Sequence, residues 1–326
     1  MRRRIDDRTP AELLAAARGG ERRAVARLLT LVERGGEPAE IIAEATHHLT
    51  GTAHVVGITG APGSGKSTLT GALTTMLADE GRRPAVVAVD PSSPLTGGAI
   101  LGDRVRMEAA TVAGVFIRSV ATRGHGGGLA LAVPGAVRVL DACGFDPVVI
   151  ETVGVGQVEV DVVAAADTAV VVVTSGWGDA IQANKAGLLE VADLFVVNKA
   201  DRPGAADARR DLELMLDLSE ISGSGSDSGS GPGRRPAIIE TTATKGAGIE
   251  DLLVGIDAHH AALSAGSGLS ERRDRRFVAE VRARLDHLLA RVADDALDDA
   301  GPIAGETPVD TARRLAEGLF GAAGAR

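Results

Sequence analysis

The segment Gly60-Ala61-Pro62-Gly63-Ser64-Gly65-Lys66-Ser67 fits the spacing G-x-x-x-x-G-K-[ST] at every fixed position. Each residue type has a task if the ligand is a polyphosphate. The glycines remove the Cβ atoms that would hold backbone N–H groups away from phosphate oxygens. Lys66 sets an ammonium between the β- and γ-phosphates, and Ser67, followed by Thr68, offers a hydroxyl to Mg²⁺. The apolar run His54–Thr59 before the loop reads as a buried strand. Thr68–Asp79 after it reads as a helix whose N-terminus adds positive potential. Motif and setting together predict binding of Mg²⁺ and a nucleoside triphosphate.

Asn198-Lys199-Ala200-Asp201, at the end of the apolar run Leu194–Val197, chooses the base. A carboxylate at Asp201 accepts from guanine N1–H and the 2-amino group, and adenine offers neither donor. Leaving a buried acceptor unpaired costs about 1–3 kcal/mol, so GTP and GDP are the expected nucleotides. Asn198 can bond the base edge or tie its loop to the phosphate loop. The aliphatic stem of Lys199 can lie on the base plane. Thr242, Ala243 and Thr244, at the end of the last apolar run, can present backbone to the guanine O6, although alone they are a plain strand-to-loop turn.

Three acids are candidates for the metal and for the hydrolytic step. Asp90 ends the run Ala85–Val89, Glu151 ends Pro147–Ile150, and Asp103 lies in Gly102-Asp103-Arg104. A nucleotide site of this kind needs an acid near Mg²⁺ at the end of a neighbouring strand. Asp90 and Glu151 both qualify by position, and each can instead cap the segment that follows. Ser67, Asp90, Asp103 and Glu151 are thus the candidates for the metal, and Lys66, Asp90, Asp103 and Glu151 the candidates for the catalytic step, with Asp103 equally readable as an ordinary loop acid. Gly154 and Gly156 suit a loop whose backbone meets the γ-phosphate and moves after hydrolysis. Gln157 can orient water, and His125 in Arg123–Gly128 reads as a solvated loop histidine.

Positioning these residues demands a particular architecture. The runs His54–Thr59, Ala85–Asp90, Val115–Ile117, Pro147–Thr152, Thr168–Thr174, Leu194–Asn198 and Ala237–Thr241 are continuously apolar, as strands buried on both faces are. Helical stretches alternate with them, which implies an α/β fold: a mostly parallel central sheet of P-loop NTPase type, with ligands at the carboxyl ends of the strands. Residues 1–50 read as an N-terminal helical extension, with Thr9-Pro10-Ala11-Glu12 at capping-box spacing. Residues 51–262 read as the nucleotide-binding domain, interrupted by a flexible Ser/Gly-rich insertion at 219–236, and 263–326 as a C-terminal helical region. There Phe277, Val281, Leu285, Leu288, Leu289 and Val292 recur at helical spacing and need a partner surface.

Composition narrows the function classes. A net charge of −9 gives no electrostatic footprint for nucleic acid or membrane surfaces, and no Tyr with one Trp leaves little for base stacking. Cys143 stands alone, so no intrachain disulfide forms. The basic start Arg2-Arg3-Arg4 is followed by Asp6 and Asp7 rather than an apolar stretch, and no run reaches the ~20 residues of a membrane span. The chain reads as cytoplasmic.

The quoted motifs, together with Ala88-Val89-Asp90-Pro91-Ser92-Ser93-Pro94, the stretch Gly97–Met107 and Glu151–Gln157, resemble one family. They look like the G proteins that accompany methylmalonyl-CoA mutase and related B12-dependent acyl-CoA mutases, once labelled arginine/ornithine transport ATPases. The resemblance runs from about His54 to Leu253. It implies a GTPase that gates cofactor loading and protects the mutase, working as a homodimer joined largely through C-terminal helices. It places Lys66, Ser67, Asp90, Asp103 and Glu151 in the nucleotide and Mg²⁺ site, and Lys185 at the end of a third switch. This sequence departs from the family at His125 and Gly126, where threonine and leucine are usual, at Trp177, where a small residue is usual, and in the length of 219–236. A nickel metallochaperone GTPase would want a His-rich tract or a Cys/His pair, and an ATP-dependent small-molecule kinase would have no use for Asp201.

Overall fold

The computed structural model of the chain describes residues 5–91, 107, 110–111, 113–122, 128–152, 166–176, 192–221, 235–300 and 306–321. The apolar runs become strands β1 (Val55–Gly60), β2 (Ala85–Pro91), β3 (Phe116–Thr122), β4 (Val148–Thr152), β5 (Thr168–Val173), β6 (Leu194–Asn198) and β7 (Ala237–Thr241). They form one sheet in the order β3-β2-β4-β1-β5-β6-β7, and every adjacent pair is parallel. The order reverses around β1, so the crevice at the carboxyl ends opens beside the strand that carries Gly60.

Helices cover both faces, which is why the strands do not alternate. On one face Ile58, Val149, Val172 and Val196 pack on α4 (Lys66–Asp79) and α7 (Ile249–Ser264). On the other, Val171, Phe195 and Val197 pack on α6 (Ala205–Ile221). Ala85, Val87 and Val148 pack on α5 (Gly128–Ala142). Each fully buried Val, Leu or Phe contributes roughly 1.5–3 kcal/mol. Helices α1 (Pro10–Arg18), α2 (Arg22–Arg34) and α3 (Glu37–His47) add Leu13, Leu28 and Ile42 to that same core layer. The Thr9 capping box forms as the spacing predicts: Glu12 N–H donates to Thr9 Oγ1 at 3.3 Å and Thr9 N–H to Glu12 Oε2 at 2.8 Å.

Strand β3 is longer than its apolar run, because Arg118 and Ser119 break the hydropathy without breaking the strand. β3 lies at the sheet's edge, and Arg118 reaches out of it to Glu33 on α2, 2.8 Å away. Ser219, Glu220 and Ile221 extend α6 rather than opening the insertion, and 222–234 lie outside the described residues. Cys143 packs in the core, where burial pushes its thiol up to about 11.

The amino ends of the strands, opposite the crevice, carry a polar network that the sequence reading missed. Thr168 Oγ1 bridges His54 Nε2 at 2.8 Å and His259 Nδ1 at 2.9 Å. Asp193, just before β6, is fully buried and takes both terminal nitrogens of Arg272 at 2.7 and 2.6 Å. Asp167, just before β5, takes Arg276 at 2.7 Å. Both arginines stand at the start of α8 (Gly268–Ala300), so two buried carboxylates fix where that helix begins. Burial pushes Asp193 up, yet its contacts with His259 and Arg272 outweigh that and hold its carboxyl well below the usual range.

Residues Met1–Phe277 and Val278–Arg326 are two compact units. The second holds the rest of α8 and α9 (Pro308–Phe320), whose first turn is capped by Thr307 Oγ1 accepting from Asp310 N–H at 3.2 Å. No helix among the described residues is long and apolar enough to cross a membrane.

Candidate functional site

Gly60 closes β1 and begins the loop. Its φ is +139°, and a Cβ there would stand 2.1 Å from the carbonyl oxygen of Val172 on β5, so only glycine lets the two strand ends approach this closely. The loop turns through Ala61–Gly65, with Ser64 N–H donating to Ala61 O at 3.1 Å, and enters α4 at Lys66. Lys66 is buried, and its Nζ donates to Gly60 O at 2.5 Å and Ala61 O at 3.1 Å. The ammonium therefore sits inside the loop, beside the positive end of α4.

Ser67 follows on the first turn of α4 and donates to Glu151 Oε1 at 2.5 Å. Both residues are buried. The pairing of Ile58 with Glu151 in the β1–β4 ladder puts Glu151 on the face covered by α4. The structure thus brings together Lys66, Ser67 and Glu151, three of the residues singled out by motif. Asp90 stands in β2 opposite Ala121. Its side chain, and Asp103, His125, Gly126, Gly154, Gly156, Gln157, Trp177 and Lys185, lie outside the described residues.

The second motif meets the first. Asn198, at the end of β6, donates from Nδ2 to Ser64 O at 2.9 Å. Its Oδ1 accepts from Thr241 Oγ1 at 3.1 Å and Ala243 N–H at 3.3 Å. Of the two roles open to Asn198, the structure shows the tie to the phosphate loop. Gly65 has φ +94°, and a Cβ there would lie 2.4 Å from that amide nitrogen. Lys199 adopts φ +59° and donates from Nζ to Gly63 O at 2.7 Å. The chain from Asn198 to Asp201 is tied to the end of β7, where the turn Thr242-Ala243-Thr244 begins, by Ala200 N–H donating to Thr241 O at 3.0 Å.

Asp201 faces solvent from this frame, 2.8 Å from Lys245 Nζ. The hydrogen bond from Lys245 holds its carboxyl below the usual range. Lys245 is a residue the sequence reading passed over. Its signal was weak, a lysine one place beyond the polar turn, and the pairing depends on the 3₁₀ turn Ala243–Lys245.

Residues 25–296 match the family model for methylmalonyl-CoA mutase-associated GTPases, MeaB. The chain belongs to this family. Among its relatives, a Pyrococcus horikoshii protein named "Putative GTPase" is 47% identical over 289 residues, 88% of this chain and 89% of that one. The GTPase ArgK of Escherichia coli is 36% identical over 305 residues, covering 88% of each. A protein of Cupriavidus metallidurans named fused isobutyryl-CoA mutase is 40% identical over 202 residues, 60% of this chain and 18% of that longer protein. The crystal structure titled LAO/AO transport system kinase covers 97% of this chain and 99% of its own, with 28% identity and a TM-score of 0.69. This chain is accordingly a GTPase of the MeaB/ArgK family, with the P-loop α/β fold that its strand and loop pattern predicts.

Proposed function

We propose that this GTPase is a chaperone of a B12-dependent acyl-CoA mutase, coupling GTP hydrolysis to cofactor loading and to protection of the mutase. The observation that carries the reading is the stretch of a fused isobutyryl-CoA mutase that is 40% identical to this chain. It sets a sequence of this type in one polypeptide with mutase chemistry.

The phosphates of GTP or GDP lie along the backbone of Gly60–Ser67 and Thr68. Lys66, held now by the carbonyls of Gly60 and Ala61, turns its ammonium to the β- and γ-oxygens. Ser67 and Glu151 suit Mg²⁺: both offer hard oxygen donors, buried, 2.5 Å apart, at the end of a strand beside the loop. Asp90 and Asp103 complete the proposed acidic set. Held there, Mg²⁺ would neutralise charge that develops on the transferred phosphoryl group. Gly154 is the residue whose N–H is assigned to the γ-phosphate in this reading. Asp201 accepts from guanine N1–H and the 2-amino group, with Asn198 and Lys199 bracing its loop against the phosphate loop and Thr242–Thr244 lining the O6 edge. That carboxylate disfavours the kinase reading, since ATP presents no donor pair to it.

Hydrolysis by the chain alone is expected to be slow, with the mutase completing the site. A partner that completes such a site raises the rate by ~10³–10⁵. GTP turnover is to be measured alone and with purified acyl-CoA mutases of the B12 class. A rate that no mutase changes would falsify the chaperone assignment and leave the GTPase assignment intact.

A further inference from the structure

β4 ends in two residues that point to opposite faces. Glu151 faces α4 and meets Ser67, while Thr152 faces away. The last registered pair between β1 and β4 is Ile58–Glu151. One step further on, Thr152 Oγ1 donates to Thr59 Oγ1 at 3.0 Å, and both side chains are buried, at 1% and 0% exposure. The hydroxyl pair therefore continues the β1–β4 ladder past its final backbone step. Thr59 is also registered with Val171 on β5 and precedes Gly60, so it joins the ends of all three central strands at the level where the phosphate loop begins.

On its β2 side β4 is registered through Val89–Thr152; on its β1 side no backbone pair follows Ile58–Glu151, and an end loose on that side would let Glu151 shift from Ser67. The Thr59–Thr152 bond opposes that from the face of the sheet opposite the one Glu151 shares with α4. We propose that Thr59 is a positioning residue for hydrolysis: its hydroxyl, through Thr152, holds the Glu151 carboxylate at the metal-binding edge of the phosphate loop. This rests on the reading of Ser67 and Glu151 as Mg²⁺ residues. It adds a residue that no motif at this site singles out, since the G-x-x-x-x-G-K-[ST] pattern starts one place later.

The test compares wild type with Thr59→Val and Thr59→Ser. A fluorescent GDP is titrated without metal, and its release is then followed against Mg²⁺ concentration. GTP turnover and thermal midpoint are recorded beside these. In Thr59→Val, metal-free GDP affinity stays within about threefold of wild type, because the loop backbone and Lys66 are untouched. The Mg²⁺ concentration for half-maximal retention of GDP rises three- to tenfold, the range one net hydrogen bond supports, and kcat falls by a similar factor. Thr59→Ser keeps the hydroxyl and restores both. A variant that loses only thermal midpoint, with Mg²⁺ dependence and kcat unchanged, makes the pair a structural cross-link and overturns the inference. A wild-type protein whose GDP release ignores Mg²⁺ fails at the earlier step, and the inference falls with it.

Discussion

Asp201 is the residue proposed to choose the base, and its surroundings make that testable. The carboxylate is carried on a loop braced at Asn198, Lys199 and Ala200, so a change at Asp201 leaves the brace in place. In Asp201→Asn the side chain keeps one acceptor and gains a donor. Guanine then loses the acceptor for its 2-amino group, while xanthine, with a carbonyl there, gains a partner. GDP affinity should fall by on the order of 10²-fold and xanthosine diphosphate affinity rise, read in a competition titration. Unchanged GDP binding would remove Asp201 from base recognition. The motif residues were legible from type and spacing alone: Lys66 and Ser67 lie beside one another in sequence, and Asn198 and Asp201 share a loop. Their cross-links were not. Asn198 and Ser64 are separated by 134 positions, and Thr59 and Thr152 by 93. Spacing motifs describe one segment at a time. A bond between two segments depends on strand order, and the order β4-β1-β5-β6 follows from packing rather than from any local pattern.

At the scale of elements, hydropathy located the interior strands because parallel strands covered on both faces have no polar side to show. It shortened the edge strand β3 at Arg118, and it assigned His54 to a strand start without seeing its neighbours. His54 lies before β1 with 2% exposure, its ring stacked on His260 at 4.0 Å. Burial, then His260 and the nearby Arg82, push its pKa down from 6.5 to about 2. The sign of the consequence follows from linkage. Below about pH 6.5 the unfolded chain protonates this histidine and the folded chain does not, so stability is full above 6.5 and declines as pH falls toward 2. The slope approaches 1.4 kcal/mol per pH unit for this one group. His54→Gln removes the titration while leaving a polar side chain toward Thr168. Urea unfolding at pH 7.5 and pH 5 should show a smaller acid-induced loss for the variant than for wild type. Equal losses would mean that other groups carry the acid sensitivity.

For the molecule as a whole, the open question is what covers α8. Val281, Leu285, Leu288 and Val292 are spaced 4, 3 and 4 apart, the interval of a two-stranded coiled-coil seam, and each is 43–52% exposed. Val278 and Leu289 border the seam at 62% and 39% exposure. A contiguous apolar stripe of this kind on a charged helix marks an interaction surface. We propose that a second copy of the chain supplies the partner helix, giving the homodimer that the family resemblance implies. A heptad seam matches its own copy by symmetry, with the same residues contributed from both sides. Substituting Leu285→Glu together with Leu288→Glu places four like charges in such a seam. Sedimentation should then report a monomer where the wild type reports a dimer. Both residues belong to Val278–Arg326, whereas the phosphate loop and Asp201 belong to Met1–Phe277, so GDP affinity should be unchanged. A wild type that sediments as a monomer at tens of micromolar, with mutase binding lost in the double variant, would assign the seam to the mutase instead of to a second copy.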